Sequence, residues 1–176
     1  MNAAAPFEIG FDVNQPPTAF ESMRSLLNDG SPGGGTPLCR HINEVAARIR
    51  SLSSMLQFGK KAVVVIATDG EASDGDVREA LRPLKDLPVF IVLRFCTDED
   101  NIIESWNNID NELELNMDVI DDFFGESKEI HAVNPWITYG EPLHRMREFG
   151  VTLKELDNID EKALSHDEML KVCKLW

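Results

Sequence analysis

Two side chains stand where chemistry could be done: Thr36, directly after Gly33-Gly34-Gly35, and Asp69, at the end of the apolar run over residues 62–67. A hydroxyl and a carboxylate are hard oxygen donors. They suit Mg²⁺, which takes few protein ligands and keeps several of its waters. Consecutive glycines let a backbone adopt positive φ and approach a neighbour closely, after which Thr36 presents its hydroxyl near a helix start. Asp69 would lie at the carboxyl end of a strand, where ligands gather in open α/β sheets. The structural alternative is that Thr36 caps the following helix and Asp69 satisfies loop amides.

The remaining candidates read as structural. No Gly-x-x-x-x-Gly-Lys-Ser/Thr is present, and Pro37 occupies the region where a phosphate loop needs lysine. The loop 69–76 has the acidity of a calcium site without the glycine that the sixth position of an EF-hand requires. Asp98-Glu99-Asp100 and Asp121-Asp122 fall at helix starts, where negative charge complements the dipole. His41, His131, His144 and His166 show no ligand spacing, and Cys96 has no thiol-activating motif beside it. Trp106, Trp136 and Tyr139 suggest a packing cluster, or, for the latter two beside Pro135, an exposed contact patch. No nucleophile–base or acid–base pair is visible, so no catalysis is expected.

The elements that would position the two loops follow from apolar patterning. Residues 7–13 alternate apolar with polar or small residues, a strand pattern closed by Pro16-Pro17. A short helix is expected over 18–28, with Phe20, Met23, Leu26 and Leu27 on one face. From Leu38, the spacing of Ile42, Val45, Ile49, Leu52 and Leu56 makes one stripe of a long helix, stopped at Gly59. Residues 62–67 are continuous, short and β-branched, as in the middle of a covered parallel sheet. A helix over 76–86 follows, with Asp76 as cap and Pro83 bending or ending it. A second buried strand covers 88–93, and Thr97 or Asp98 caps a helix to about residue 108.

A third strand is expected over 115–120, then a helix capped by Asp121 or Asp122. Pro142 fits the first turn of a helix that Gly150 stops, and Ser165 with Glu168 forms a capping box for a final helix over 167–175. Strand–helix alternation with short connections predicts an α/β sheet with right-handed crossovers.

Lys and Arg number 17 against 31 Asp and Glu, a formal charge of −14. That balance argues against nucleic acid, whose backbone demands clustered cations, and against anionic membrane surfaces. No apolar run approaches the ~20 residues of a spanning helix, and the first residues lack the pattern of a signal peptide. Cys39, Cys96 and Cys173 form no Cys-x-x-Cys pair, so reduced thiols in the cytoplasm or another reducing intracellular compartment are expected.

The segment Gly33-Gly34-Gly35-Thr36-Pro37-Leu38 resembles the second metal-site loop of von Willebrand factor A domains. Val64-Val65-Ile66-Ala67-Thr68-Asp69-Gly70-Glu71 is similar to their fourth strand and third metal-site loop. Order, spacing and the intervening helix fit, over roughly residues 10–150. The resemblance implies a Rossmann-like, mostly parallel sheet flanked by helices over residues 1–150, with 151–176 as a helical extension. It also implies a metal-ion-dependent adhesion site: Thr36 as direct or water-mediated ligand of Mg²⁺, Asp69 as ligand through water, and Gly33, Gly34, Gly35, Gly70 and Glu71 as binding loops. An acidic group of a partner protein would complete the ion's shell.

The chain departs from that pattern at its start. The family's first site loop, Asp-x-Ser-x-Ser, is absent, and the glycine loop arrives where a complete domain would still be in its first strand or helix. The expectation is a partial domain lacking its opening unit, with residues 7–13 as remnant of the third strand. Hydroxyl plus carboxylate alone give a weak, largely hydrated Mg²⁺ site. Residues 63–66 would expose an apolar edge, which natural proteins avoid. Residues 7–13, a second copy or a partner chain must cover it. The expected function is a non-catalytic interaction or scaffold subunit, with a Mg²⁺-dependent adhesion module as the alternative.

Overall fold

The structure, a computed structural model, describes residues 18–29, 34–56, 58–70, 72–96, 99–120 and 122–174. The strand expected over 7–13 lies outside them, as do Gly33, Glu71, Thr97, Asp98 and Asp121. The elements are α1 (Thr18–Asp29), α2 (Leu38–Ser51), β1 (Ala62–Thr68), α3 (Val77–Leu81), β2 (Val89–Phe95), α4 (Asp100–Leu113), β3 (Met117–Ile120), α5 (Phe123–Val133), α6 (Glu141–Glu148), α7 (Lys154–Asp157) and α8 (His166–Cys173).

The described strands form one parallel sheet in the order β1-β2-β3, with Ala62 opposite Val89 and Ile91 opposite Met117. Helices fill the crossovers, so the fold is α/β. Because side chains alternate along a strand, the register sorts the sheet into two faces. On one, Val64, Ile66, Ile91, Leu93, Phe95 and Met117 join the apolar stripes of α2, α3 and α4 in the main core. On the other, Phe90, Val92 and Ile120 form a small cluster on the side where α6 packs against β2 and β3.

β1 corrects an expectation. Its continuous apolar run predicts a central strand covered on both faces, yet among the described residues it is an edge strand, with Val63 42% and Val65 48% exposed. Among the described residues the reason is coverage: α6 lies over β2 and β3, and Gly150 stands beside Val63 on that face. Composition reports that a strand is apolar; it does not report that both layers are present.

Element ends differ locally. α2 stops at Ser51, a turn or more before Gly59, and positive φ at Phe58 and Gly59 then reverses the chain into β1. α3 stops at Leu81 and tightens into a 3₁₀ turn over Arg82–Leu84, since Pro83 offers no N–H to continue the helix. α1 leaves Phe20 and Leu27 exposed. The caps are as the sequence predicts: Asp76 accepts from Arg78 N at 2.9 Å, Asp122 from Phe124 N at 2.6 Å, and Ser165 with Glu168 closes a capping box.

Residues 130–172 share a second core in which Ile130, Leu143, Leu156, Ile159, Leu164 and Val172 bring α5, α6, α7 and α8 together. The helical extension therefore packs with α5 and α6. Gly150 terminates α6 with φ +72, and a β-carbon there would collide with Val63. Gly150→Ala is expected to cost about 2–4 kcal/mol, combining left-handed strain with overpacking. A urea midpoint equal to that of the parent would refute this.

Candidate functional site

The glycine loop and the loop after β1 meet. The Thr36 carbonyl accepts from Leu38 N at 2.8 Å and from Ser73 N at 2.9 Å. Gly34 has φ +87, and a β-carbon at Gly35 would stand 2.6 Å from Ser73 Oγ. Glycine therefore serves both purposes anticipated for it, turning the chain and permitting close approach.

The helix start is arranged differently from the capping alternative. Pro37 is the N-cap of α2 and no side chain caps from that position, so Thr36, half-buried, does not. Asp74 does so from across the loop, its carboxylate accepting from Cys39 N at 3.0 Å and Arg40 N at 2.9 Å. Burial opposes its charge, but those amides hold the Asp74 carboxyl below its usual range. Burial first, and Asp74 second, push the Cys39 thiol up, which makes it a poor nucleophile.

Asp69 is exposed, and the turn containing it is held by its neighbour: Thr68 Oγ1 donates to the Gly70 carbonyl at 3.2 Å. Thr36 and Asp69 thus sit on adjoining loops without a hydrogen bond between them among the described residues. For Mg²⁺ they would supply at most one hydroxyl and one carboxylate, with Asp74 committed to α2. Such a set fits only a heavily hydrated ion. Among the described residues no His, Cys, Asp and Glu side chains gather three or more together to hold a metal.

The edge of β1 is the larger feature. Ala62 N donates to the Pro88 carbonyl at 2.8 Å, and the Thr68 carbonyl accepts from Cys96 N at 2.9 Å. Residues 62, 64, 66 and 68 therefore turn their backbone groups toward β2. By alternation, Val63, Val65 and Ala67 turn theirs away from it. Beside them, between α2 and β1, lies a cavity of about 310 Å³ lined chiefly by Leu38, Ile42, Val45, Val64, Ile66 and Leu84, with His41 among its walls.

Sequence reasoning missed a buried charge cluster on the α6 side of the sheet. Arg147, 1% exposed, grips Asp118 of β3 through Nη2 (2.9 Å) and Nε (3.2 Å), Asp160 at 2.6 Å, and Glu126 of α5. Burial is the main reason the Asp118 carboxyl is pushed up to about 7, partly opposed by Arg147 and reinforced by Asp157 and Asp160. Burial disfavours the Arg147 charge, but its carboxylates outweigh that and raise its pKa. The available signal was position: Arg147 falls four residues after Leu143, on the face of α6 that must be buried.

Next to it, the Tyr139 hydroxyl lies 2.8 Å from His144 Nδ1. Burial lowers the His144 pKa, so the neutral ring can accept from tyrosine there. Glu148 Oε1 stands 2.7 Å from Arg94, an ion pair without an aligned hydrogen bond, and 3.2 Å from His144 Nε2. Burial raises the Tyr139 pKa, the wrong direction for a general base. Trp106, Trp136 and Tyr139 do not form the expected cluster: Trp106 packs in the main core, Tyr139 in the second, and Trp136 is exposed.

No helix among the described residues is long and apolar enough to cross a membrane. No family model matches the chain, and neither a curated protein nor a solved structure shows significant similarity to it.

Proposed function

We propose that this chain is a non-catalytic protein-interaction or scaffold subunit built on a partial, Rossmann-like A-type domain. The observation that carries the reading is the flank of β1, uncovered among the described residues, where exposed Val63 and Val65 adjoin backbone groups turned away from β2. An apolar edge of this kind is a template for association. The purified chain is expected to self-associate in sedimentation or to unfold in a broad, low-temperature transition. A compact, cooperatively melting monomer whose Val63, Val65 and Ala67 amides are protected from exchange overturns the proposal.

The contact of Thr36 with Ser73 favours a second reading, a Mg²⁺-dependent adhesion module, because it joins the two loops that would hold the ion. Thr36 and Asp69 would be the protein's ligands, and a partner's acidic group would share the shell. Calorimetric titration with Mg²⁺ separates the readings. Equal heats for the parent and Asp69→Ala remove this one.

A further inference from the structure

We infer that the edge of β1, unpaired among the described residues, binds an extended apolar segment of a partner protein, added parallel to β1, with acidic residues before the segment and basic residues after it. This rests on the interaction-subunit reading and specifies the partner's chemistry.

Backbone chemistry defines the site. Val63, Val65 and Ala67 direct their N–H and C=O groups away from β2, which is the ladder that an added strand needs. Nothing within residues 62–68 blunts this edge: the segment holds no proline, no charge and no bulge in its pairing with β2.

Side-chain surfaces define the ligand. On the α2 side, the 310 Å³ cavity receives one set of alternating side chains, and its aliphatic walls require them to be apolar. On the α6 side, exposed Val63 and Val65 offer apolar contact to the opposite set. A fitting segment is therefore apolar at consecutive positions, unlike an amphipathic strand of alternating polarity.

Charge sets the direction. Lys60 and Lys61 precede β1 and are exposed, whereas exposed Asp69 follows it, with exposed Asp74 and Asp76 farther along the same loop. A parallel strand with an acidic leading flank and a basic trailing flank meets the opposite charge at both ends. The antiparallel arrangement of the same segment meets like charge at both. Parallel addition also continues the direction of β2 and β3.

The test uses the full chain and two labelled synthetic peptides, Asp-Glu-Val-Ile-Val-Leu-Val-Lys-Arg and its charge-reversed form Lys-Arg-Val-Ile-Val-Leu-Val-Asp-Glu, followed by fluorescence anisotropy. The acidic-first peptide should bind at least about tenfold more tightly at low salt, with the difference shrinking as salt screens the flanks. Its binding should slow hydrogen exchange at Val63, Val65 and Ala67. Val65→Pro removes a donor that faces away from β2, so it should abolish binding while β1 stays paired. Val65→Lys is the alternative blocking variant if proline unfolds the chain.

Equal binding of both peptides, or binding unaffected by either variant, overturns the inference. So does a dimer that Val65→Lys dissociates, since a second copy then occupies the edge; the interaction-subunit reading would survive that result. A stable monomer whose Val63, Val65 and Ala67 amides are already protected without peptide defeats both, because the chain then covers its own flank.

Discussion

Replacing Arg147 with methionine is expected to lower the free energy of unfolding by about 3–5 kcal/mol, although the two side chains are similar in length. The loss arises from what remains. Asp118, Glu126 and Asp160 converge on one guanidinium that is 1% exposed, and its removal takes from all three the cation that offsets their desolvation. The guanidinium fork also spans β3, α5 and the turn after α7 at once, a geometry that lysine cannot reproduce. Urea unfolding followed by tryptophan fluorescence checks this. A midpoint within experimental error of the parent's would sink it. Substituting leucine for Asp118 and Glu126 in the Arg147→Met background should recover part of the loss, because an apolar replacement of a whole buried ion cluster is often neutral.

The second large effect is a dependence on pH in an unusual direction. In the unfolded chain the Asp118 carboxyl titrates near 4, as an ordinary aspartate does. In the folded chain, burial and neighbouring carboxylates push it up to about 7, against the pull of Arg147. Between those values the folded state binds more protons than the unfolded state, so stability falls as pH rises from about 4 to 7 and levels off above. Each unit of separation is worth about 1.4 kcal/mol. Glu168, held at about 2 by Lys162 and the Ser165 amide and hydroxyl, acts in the opposite sense, losing its stabilisation as pH falls below about 4.5. Asp118→Asn should flatten the decline between pH 4.5 and 7, as read from urea midpoints across that range. A parent chain whose midpoint rises steadily over the same interval would show that Asp118 titrates normally.

What the sequence made legible was whatever depends on nearest neighbours. The stripe from Leu38 to Ile49, the caps at Asp76, Asp122 and Ser165, and the Gly150 stop are all local, and each stands in the structure. The α/β layering followed from the alternation of these pieces. Distant relationships were not legible. The apolar run of β1 is equally consistent with a central strand and with an edge strand that has lost a cover. Asp74 read as part of a solvated acidic loop because its partners, Cys39 and Arg40, are 35 and 34 residues away. Arg147 stands among other charges in a polar helix, and its partners Asp118, Glu126 and Asp160 are 29, 21 and 13 residues away. At the candidate site, the glycines signalled a close approach correctly, while the neighbour they approach, Ser73, carries no signature of its own.

The remote cap on α2 has a consequence for the order in which the molecule assembles. A cap drawn from the adjacent turn arrives with its helix, but Asp74 cannot reach the amides of Cys39 and Arg40 until β1 has carried the chain back across the layer. The leading turn of α2 is therefore expected to gain its full protection only once the sheet has formed. Its amide protection is a clock for native docking rather than for helix formation.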